Sequence, residues 1–247
     1  MSNQHFLSAL AQRYVSTVSN FCKSFLRFYR KRIRCNVMNC DYISVIGDRK
    51  TEVIVKVILF NGSRRENGCT YTALNIVANE LKTAGIETKI VFVGGRVLNG
   101  EVNEVVHEAK ELLESADGVV YGSPVYYASP SGEMLMFLDR LYGVAEANLL
   151  FKPAANVVSA RRAGTTASLD VLNKYPTYAQ QPLVTSRYWN MVHGSKPEDV
   201  LKDEEGVQIM KELGRNMAWL LKSIDAGKQA GITQPSAKQK IFTSFIR

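Results

Sequence analysis

The chain has 247 residues, 46% of them hydrophobic, enough for one large core or two small ones. Its formal net charge of +8 sits at one end: residues 1–50 carry nine Lys or Arg against two Asp or Glu, leaving +1 for residues 51–247. A nearly neutral main body argues against a nucleic-acid partner, which needs Lys and Arg clustered on one face, and four cysteines with no C-x-x-C pair indicate neither a zinc site nor a disulfide framework.

In residues 6–33, Leu7, Leu10, Tyr14, Val18, Phe21, Phe25 and Phe28 recur every three or four positions, and Arg13, Lys23, Arg27, Arg30, Lys31 and Arg34 fall on the other side of the wheel. This predicts a basic amphipathic helix, with no acidic residue before Asp41. Such a segment reads as a transit peptide, as a membrane-surface helix over residues 6–34, or as an upstream extension with no role in the fold. On each reading residues 1–50 stand outside the core, which begins near Thr51. No apolar run reaches the roughly 18 residues of a spanning helix. A reducing, cytoplasmic setting is the expectation, or an organelle if the arm is a transit peptide.

From Thr51 strand and helix patterns alternate, which implies a parallel sheet with helices on both faces. Strands are expected at 53–60, 87–93, 118–122, 155–159 and 182–185, and helices at 70–84, 103–115, 132–144, 165–175 and 203–226. The last helix carries Val207, Met210, Leu213, Met217, Leu220, Leu221 and Ile224 on one face, and its Met residues and Trp219 read as packing. The domain is placed at 51–231, with a C-terminal tail at 232–247.

Ligands in such sheets bind beyond the carboxyl ends of the strands, so three loops, 61–70, 123–132 and 160–166, are expected to converge. The first, with Asn61-Gly62-Ser63 and Asn67-Gly68-Cys69-Thr70, contains neither G-x-x-x-x-G-K-[ST] nor G-x-G-x-x-G. A hydroxyl-lined nest opening a helix suits a terminal phosphate monoester better than a pyrophosphate; an ordinary strand-to-helix turn is the alternative. In the second, GSPVYYASPSG, Tyr126 and Tyr127 offer apolar faces to a planar ring. The third, SARRAGTT, supplies Arg161, Arg162 and helix-start N–H groups.

Together NGSRRENGCT, ADGVVYGSPVYYASPSG, LDRLYG, KPAANVVSARRAGTTASLDVLNKY and SRYWNMVHG resemble the NADPH-dependent FMN reductase branch of the flavodoxin superfamily, over residues 53–231 and the terminal SFIR. The resemblance implies a flavodoxin-like, doubly wound, five-stranded parallel sheet that binds FMN. It places the phosphate on Ser63, Arg65, Asn67 and Thr70, the isoalloxazine on Pro124, Val125, Tyr126 and Tyr127, and the ring's far edge on Ser159, Arg161, Gly164 and Thr165. It implies NAD(P)H as co-substrate, hydride transfer to flavin N5, onward transfer to a quinone, flavin or similar small acceptor, and a homodimer or higher homo-oligomer. Iron-sulfur flavoproteins of this branch carry a cysteine-rich insert after the second strand; here VGGRVLNGEVNEVV has no cysteine, so no cluster is expected. No acid or base is required, and a lone His193 reads as structural. A flavodoxin-type carrier and a noncatalytic flavin sensor are the rival readings. A carrier docks basic partners through an acidic face, which a body near +1 lacks.

Overall fold

The run KVILFN forms strand β1 (Lys56–Asn61), in which Val57 to Phe60 are all buried. Burial on both faces suits the interior of a parallel sheet. The computed structural model describes residues 55–236, 238 and 240–245, so the helix expected at 6–34 lies outside the described residues. Next to β1 lie β2 (Glu87–Phe92) and β3 (Gly118–Tyr126), followed outward by β5 (Ala154–Ala160) and β6 (Met191–His193), all parallel in the order β2-β1-β3-β5-β6. This is the flavodoxin-like doubly wound order, whose switch point lies between β1 and β3. A two-residue strand β4 (Ser129–Pro130) pairs antiparallel with the end of β3, making six strands where five are expected.

Residues alternate across the sheet. Ile58, Phe60, Val119 and Tyr121 face one apolar layer with helices α3 (Val102–Glu114), α4 (Gly132–Leu149) and α5 (Thr165–Tyr178). Val57, Leu59, Val120 and Val157 face the other, with α1 (Cys69–Thr83) and α7 (Glu204–Gln229). Short helices α2 (Gly94–Leu98) and α6 (Pro197–Val200) complete the described elements.

Three expectations are corrected, and one helix is added. The fifth parallel strand is β6, not residues 182–185: there Leu183 only bridges Ala154, whose N–H and C=O bond Pro182 O and Val184 N. The chain then leaves the sheet in a turn in which Ser186 Oγ bonds Tyr188 O and Asn190 Oδ1, and it rejoins at Met191 beside Val158. Residues 123–126 belong to β3 rather than to a loop, because Ser123 and Pro124 stay in register with Val158 and Ser159. Helix α2 escapes the sequence reading since GGRVL has little helix propensity. It is fixed by packing: a Cβ on Gly94 would sit 2.4 Å from the carbonyl oxygens of both Gly62 and Ser63. Trp219 is 71% exposed while Met210 and Met217 are buried, so only the methionines pack.

Helices α1 and α7 approach closely where α7 carries Gly214, whose Cβ would lie 2.7 Å from Glu80 Cβ and 3.0 Å from Val77 O. Gly214→Leu should therefore destabilise the domain by about 1–3 kcal/mol through overpacking. Chemical denaturation measures this, and an unchanged midpoint would contradict the close crossing.

Candidate flavin site

Beyond the carboxyl ends of β1, β3 and β5 three segments meet. The first is shaped by its own polar atoms: Asn61 Oδ1 accepts the Ser63 N–H at 3.1 Å, Asn61 Nδ2 donates to Glu66 O at 2.8 Å, and Ser63 Oγ accepts the Arg65 N–H at 3.1 Å. Helix α1 then starts after Gly68 with no side-chain cap and no acidic residue in its first turn. The N–H groups of Cys69, Thr70 and Tyr71 have no intrahelical acceptor; the first such bond is Thr72 N–H to Gly68 O, 3.0 Å. An uncapped helix start free of carboxylates is a ready anion site. Ser63 and Thr70 are buried at its base; Arg65 and Asn67 are exposed at its rim.

Thr70 Oγ1 lies 2.8 Å from Ser159 Oγ at the end of β5. To reach it, α1 must cross β3, and it does so over Gly122: a Cβ there would come within 2.8 Å of Leu74 Cδ1 and 2.9 Å of Thr70 Cγ2. The resemblance assigns Thr70 and Ser159 to opposite ends of a ligand. The structure brings their hydroxyls into contact beneath the crevice.

The second segment is a hairpin. Val125 pairs with Pro130 and Tyr126 with Ser129, and the turn between them is Tyr127-Ala128, with φ of 52° and 58°. Two left-handed residues suit a tight hairpin turn, but Asn-Gly is the usual occupant, so Tyr-Ala holds this turn under strain. Tyr127 stands fully exposed at the tip. Tyr126 lies under the Arg64 guanidinium, 5.4 Å from ring centroid to Cζ, and Arg64 Nε donates to Glu133 Oε1 at 2.7 Å. Ser131 ties hairpin to first loop: its Oγ donates to Gly62 O (2.8 Å) and accepts the Met134 N–H (3.2 Å) as the cap of α4, while its N–H bonds Ser123 Oγ (2.9 Å).

The third segment carries Arg161 and Arg162, both exposed, to Gly164, whose φ of 96° favours glycine. A Cβ on Gly164 would sit 2.7 Å from Ala128 Cα and 3.0 Å from Val125 Cγ1, so this segment rests against the hairpin. Thr165 is buried at the start of α5, again without side-chain cap or first-turn acid.

Residues 55–196 match the family model described as NADPH-dependent FMN reductase. The chain belongs to that family. Among curated relatives, an iron-sulfur flavoprotein of Methanocaldococcus jannaschii is 25% identical over 195 residues, spanning 69% of this chain and 99% of its own. Among solved structures, a WrbA-like flavodoxin from Agrobacterium tumefaciens superposes with TM-score 0.54 at 12% identity, covering 69% of this chain and 98% of that one. An NADH:FMN oxidoreductase, EmoB, in its apo form gives TM-score 0.52 at 20% identity over 68% of this chain and 89% of that one. The chain is thus a flavoprotein of an FMN-dependent oxidoreductase family.

Several residues of the crevice have partners that only the fold shows. Asn61 was visible as a turn former, yet its role in folding the nest depends on Glu66 O coming back to it. Glu133 is buried with Oε2 unpartnered, and only the fold shows Arg64 reaching it across the loops. Cys69, the only cysteine among the described residues, points Sγ at Gly194 O (3.6 Å), and burial pushes its thiol pKa up. His193 is held by Asp203, the cap of α7: its N–H donates to Oδ2 at 2.7 Å and its Nδ1 lies 3.6 Å from the same atom.

Ser131→Ala removes a helix cap and the hairpin-to-loop tie together. It should cost about 2 kcal/mol in chemical denaturation, since each buried bond lost contributes on the order of 1 kcal/mol. A change within error would show that the two loops are held together by other means.

Proposed function

We propose that the chain is an NAD(P)H oxidoreductase that binds FMN with its phosphate in the nest of residues 61–70. The observation that carries this is the uncapped, acid-free start of α1 beneath a self-folded loop, at the switch point of a flavodoxin-like sheet. Ser63, Arg65, Asn67 and Thr70 hold the phosphate through hydroxyl, amide, guanidinium and backbone donors. Pro124, Val125, Tyr126 and Tyr127 line the isoalloxazine, and Ser159, Arg161, Gly164 and Thr165 border its far edge, where Arg161 favours a ring that gains negative charge. Bound FMN supplies the redox chemistry, accepting hydride from a nicotinamide and delivering electrons to a quinone, a flavin or a similar small acceptor.

The protein's part is position and exclusion of water. The hairpin is braced by prolines on either side of its tyrosines and by Gly164 packed against Ala128, so the aromatic wall stands formed before a ligand arrives. Arg64 is engaged by Glu133 and Tyr126, which leaves Arg65 as the guanidinium for the nest. No side chain of the crevice is needed as acid or base. With no cysteine in residues 93–102, the chain is proposed to work without an iron-sulfur cluster. Residues 1–50 are proposed to be dispensable for flavin binding.

Rapid-mixing measurements of flavin reduction by NADPH and by NADH test this reading. Tyr127→Ala should slow reduction at least about tenfold, equivalent to ~1.4 kcal/mol, while leaving the denaturation midpoint unchanged or raised, because the substitution removes only an exposed side chain. Flavin that neither nicotinamide reduces would refute the reductase reading and favour a sensor. A stable one-electron reduced form would favour a carrier.

A further inference from the structure

We infer that Arg64 holds the pyrophosphate of the nicotinamide coenzyme, and that Glu133 is the positioning residue that aims its guanidinium. The inference rests on the reductase reading above and adds an anchor for the coenzyme, distinct from the residues proposed to hold the flavin.

Glu133 is 8% exposed in the first turn of α4, where its Oε1 accepts the Arg64 Nε–H at 2.7 Å while its Oε2 has no hydrogen-bond partner. The helix start offsets part of the cost of burying that charge, but an oxygen left without a donor still forfeits its hydration. Stability alone does not account for such a pair. An ordinary surface ion pair leaves both members in water and contributes little; here the acid is sunk and the half-exposed guanidinium is what it presents.

Arg64 is held on three sides. Its Nε edge meets Glu133, its Cζ lies 5.4 Å from the centroid of the Tyr126 ring, and its backbone lies against α2, where a Cβ on Gly95 would come within 3.3 Å of Arg64 O. Both Nη groups are left without a protein partner among the described residues. A guanidinium carries its donors as a planar fork that matches phosphate oxygens two at a time. With Nε and the ring face occupied, the Nη pair is the part of the fork that remains, and much of the side chain's freedom is lost before a ligand arrives.

Pyrophosphate is the group within reach. Arg64 lies against Tyr126, one of the residues proposed to line the isoalloxazine, and a nicotinamide stacked on that ring is joined to the pyrophosphate through a single ribose. The 2′-phosphate of NADPH stands beyond it, on the adenosine. The flavin's own phosphate falls to the nest and Arg65, because Arg64 turns its Nε to Glu133.

The test uses the full-length, FMN-loaded protein with tetrahydro-NADH and tetrahydro-NADPH, which resemble the coenzymes but donate no hydride. Calorimetric titration should show Arg64→Met weakening both analogues at least about tenfold, and Arg64→Lys, which keeps the charge without the fork, weakening them less. Glu133→Gln should weaken both as well, and should add little to Arg64→Met, because it acts through the guanidinium. A purely structural role would not give that non-additivity. In flavin reduction by NADPH and NADH, Arg64→Met should raise the half-saturating concentration more than it lowers the limiting rate. Circular dichroism checks the fold of each variant, and the Arg64 variants, altered at a half-exposed position, carry the test if Glu133→Gln does not fold. Unchanged analogue affinity in Arg64→Met, with the parent's flavin still reduced by a nicotinamide, overturns this inference and leaves the reductase reading standing. Weakening confined to tetrahydro-NADPH would assign Arg64 to the 2′-phosphate, and weakening of FMN in place of the analogues would assign it to the flavin; each overturns the pyrophosphate assignment. Additive losses in the double variant overturn the role given to Glu133. A parent whose flavin neither nicotinamide reduces removes the reductase reading and this inference with it.

Discussion

The crossing of α1 over β3 is the constraint on which the rest of the crevice depends. Gly122 has no side chain, so the first turn of α1 descends onto the sheet until Thr70 touches Ser159 on β5. With a side chain at position 122, Thr70 and Leu74 would have to rise by a few tenths of an ångström or more, and the floor linking the first and third segments would part. The helix start would still be uncapped, but it would no longer be registered against the hairpin and the Gly164 turn.

Electrostatics follow from that placement. Two helix starts, those of α1 and α5, face the same end of the sheet without carboxylates in their first turns, so their partial positive charges add where an anion would sit. The exposed guanidiniums of Arg65, Arg161 and Arg162 reinforce the effect at the rim. Glu133 is the one buried acid among the described residues of the crevice, and its bond to Arg64 confines its charge to the outer side of the hairpin. An end of the sheet dominated by donors and floored by the Thr70 and Ser159 hydroxyls suits an anion.

Most of the fold was legible because its elements are long and strongly patterned. Strand β1 and helix α1 follow directly from a β-branched run ending in Asn-Gly-Ser and from apolar residues at helical spacing. Legibility failed where tertiary contacts override local preference. Residues 182–185 carry a strand-like pattern but meet the sheet only at Ala154 before Ser186 turns the chain away. Helix α2 exists because Gly94 lets it lie on the Gly62 and Ser63 carbonyls and Gly95 leaves room for the Phe92 ring. The loops of the candidate site were recognisable by composition; the Thr70–Ser159 contact, the Arg64–Glu133 pair and the left-handed Tyr127-Ala128 turn depend on partners distant in sequence.

The central claim is that the nest of residues 61–70 recognises a terminal phosphate monoester. Equilibrium titration of the flavin-free protein with riboflavin, FMN and FAD, followed by fluorescence, tests it most directly. Charge-assisted hydrogen bonds contribute roughly 1.5–3 kcal/mol each, so FMN should bind at least about a hundredfold tighter than riboflavin, and FAD should bind more weakly than FMN. Equal affinities for FMN and riboflavin, or tighter binding of FAD, would contradict the account.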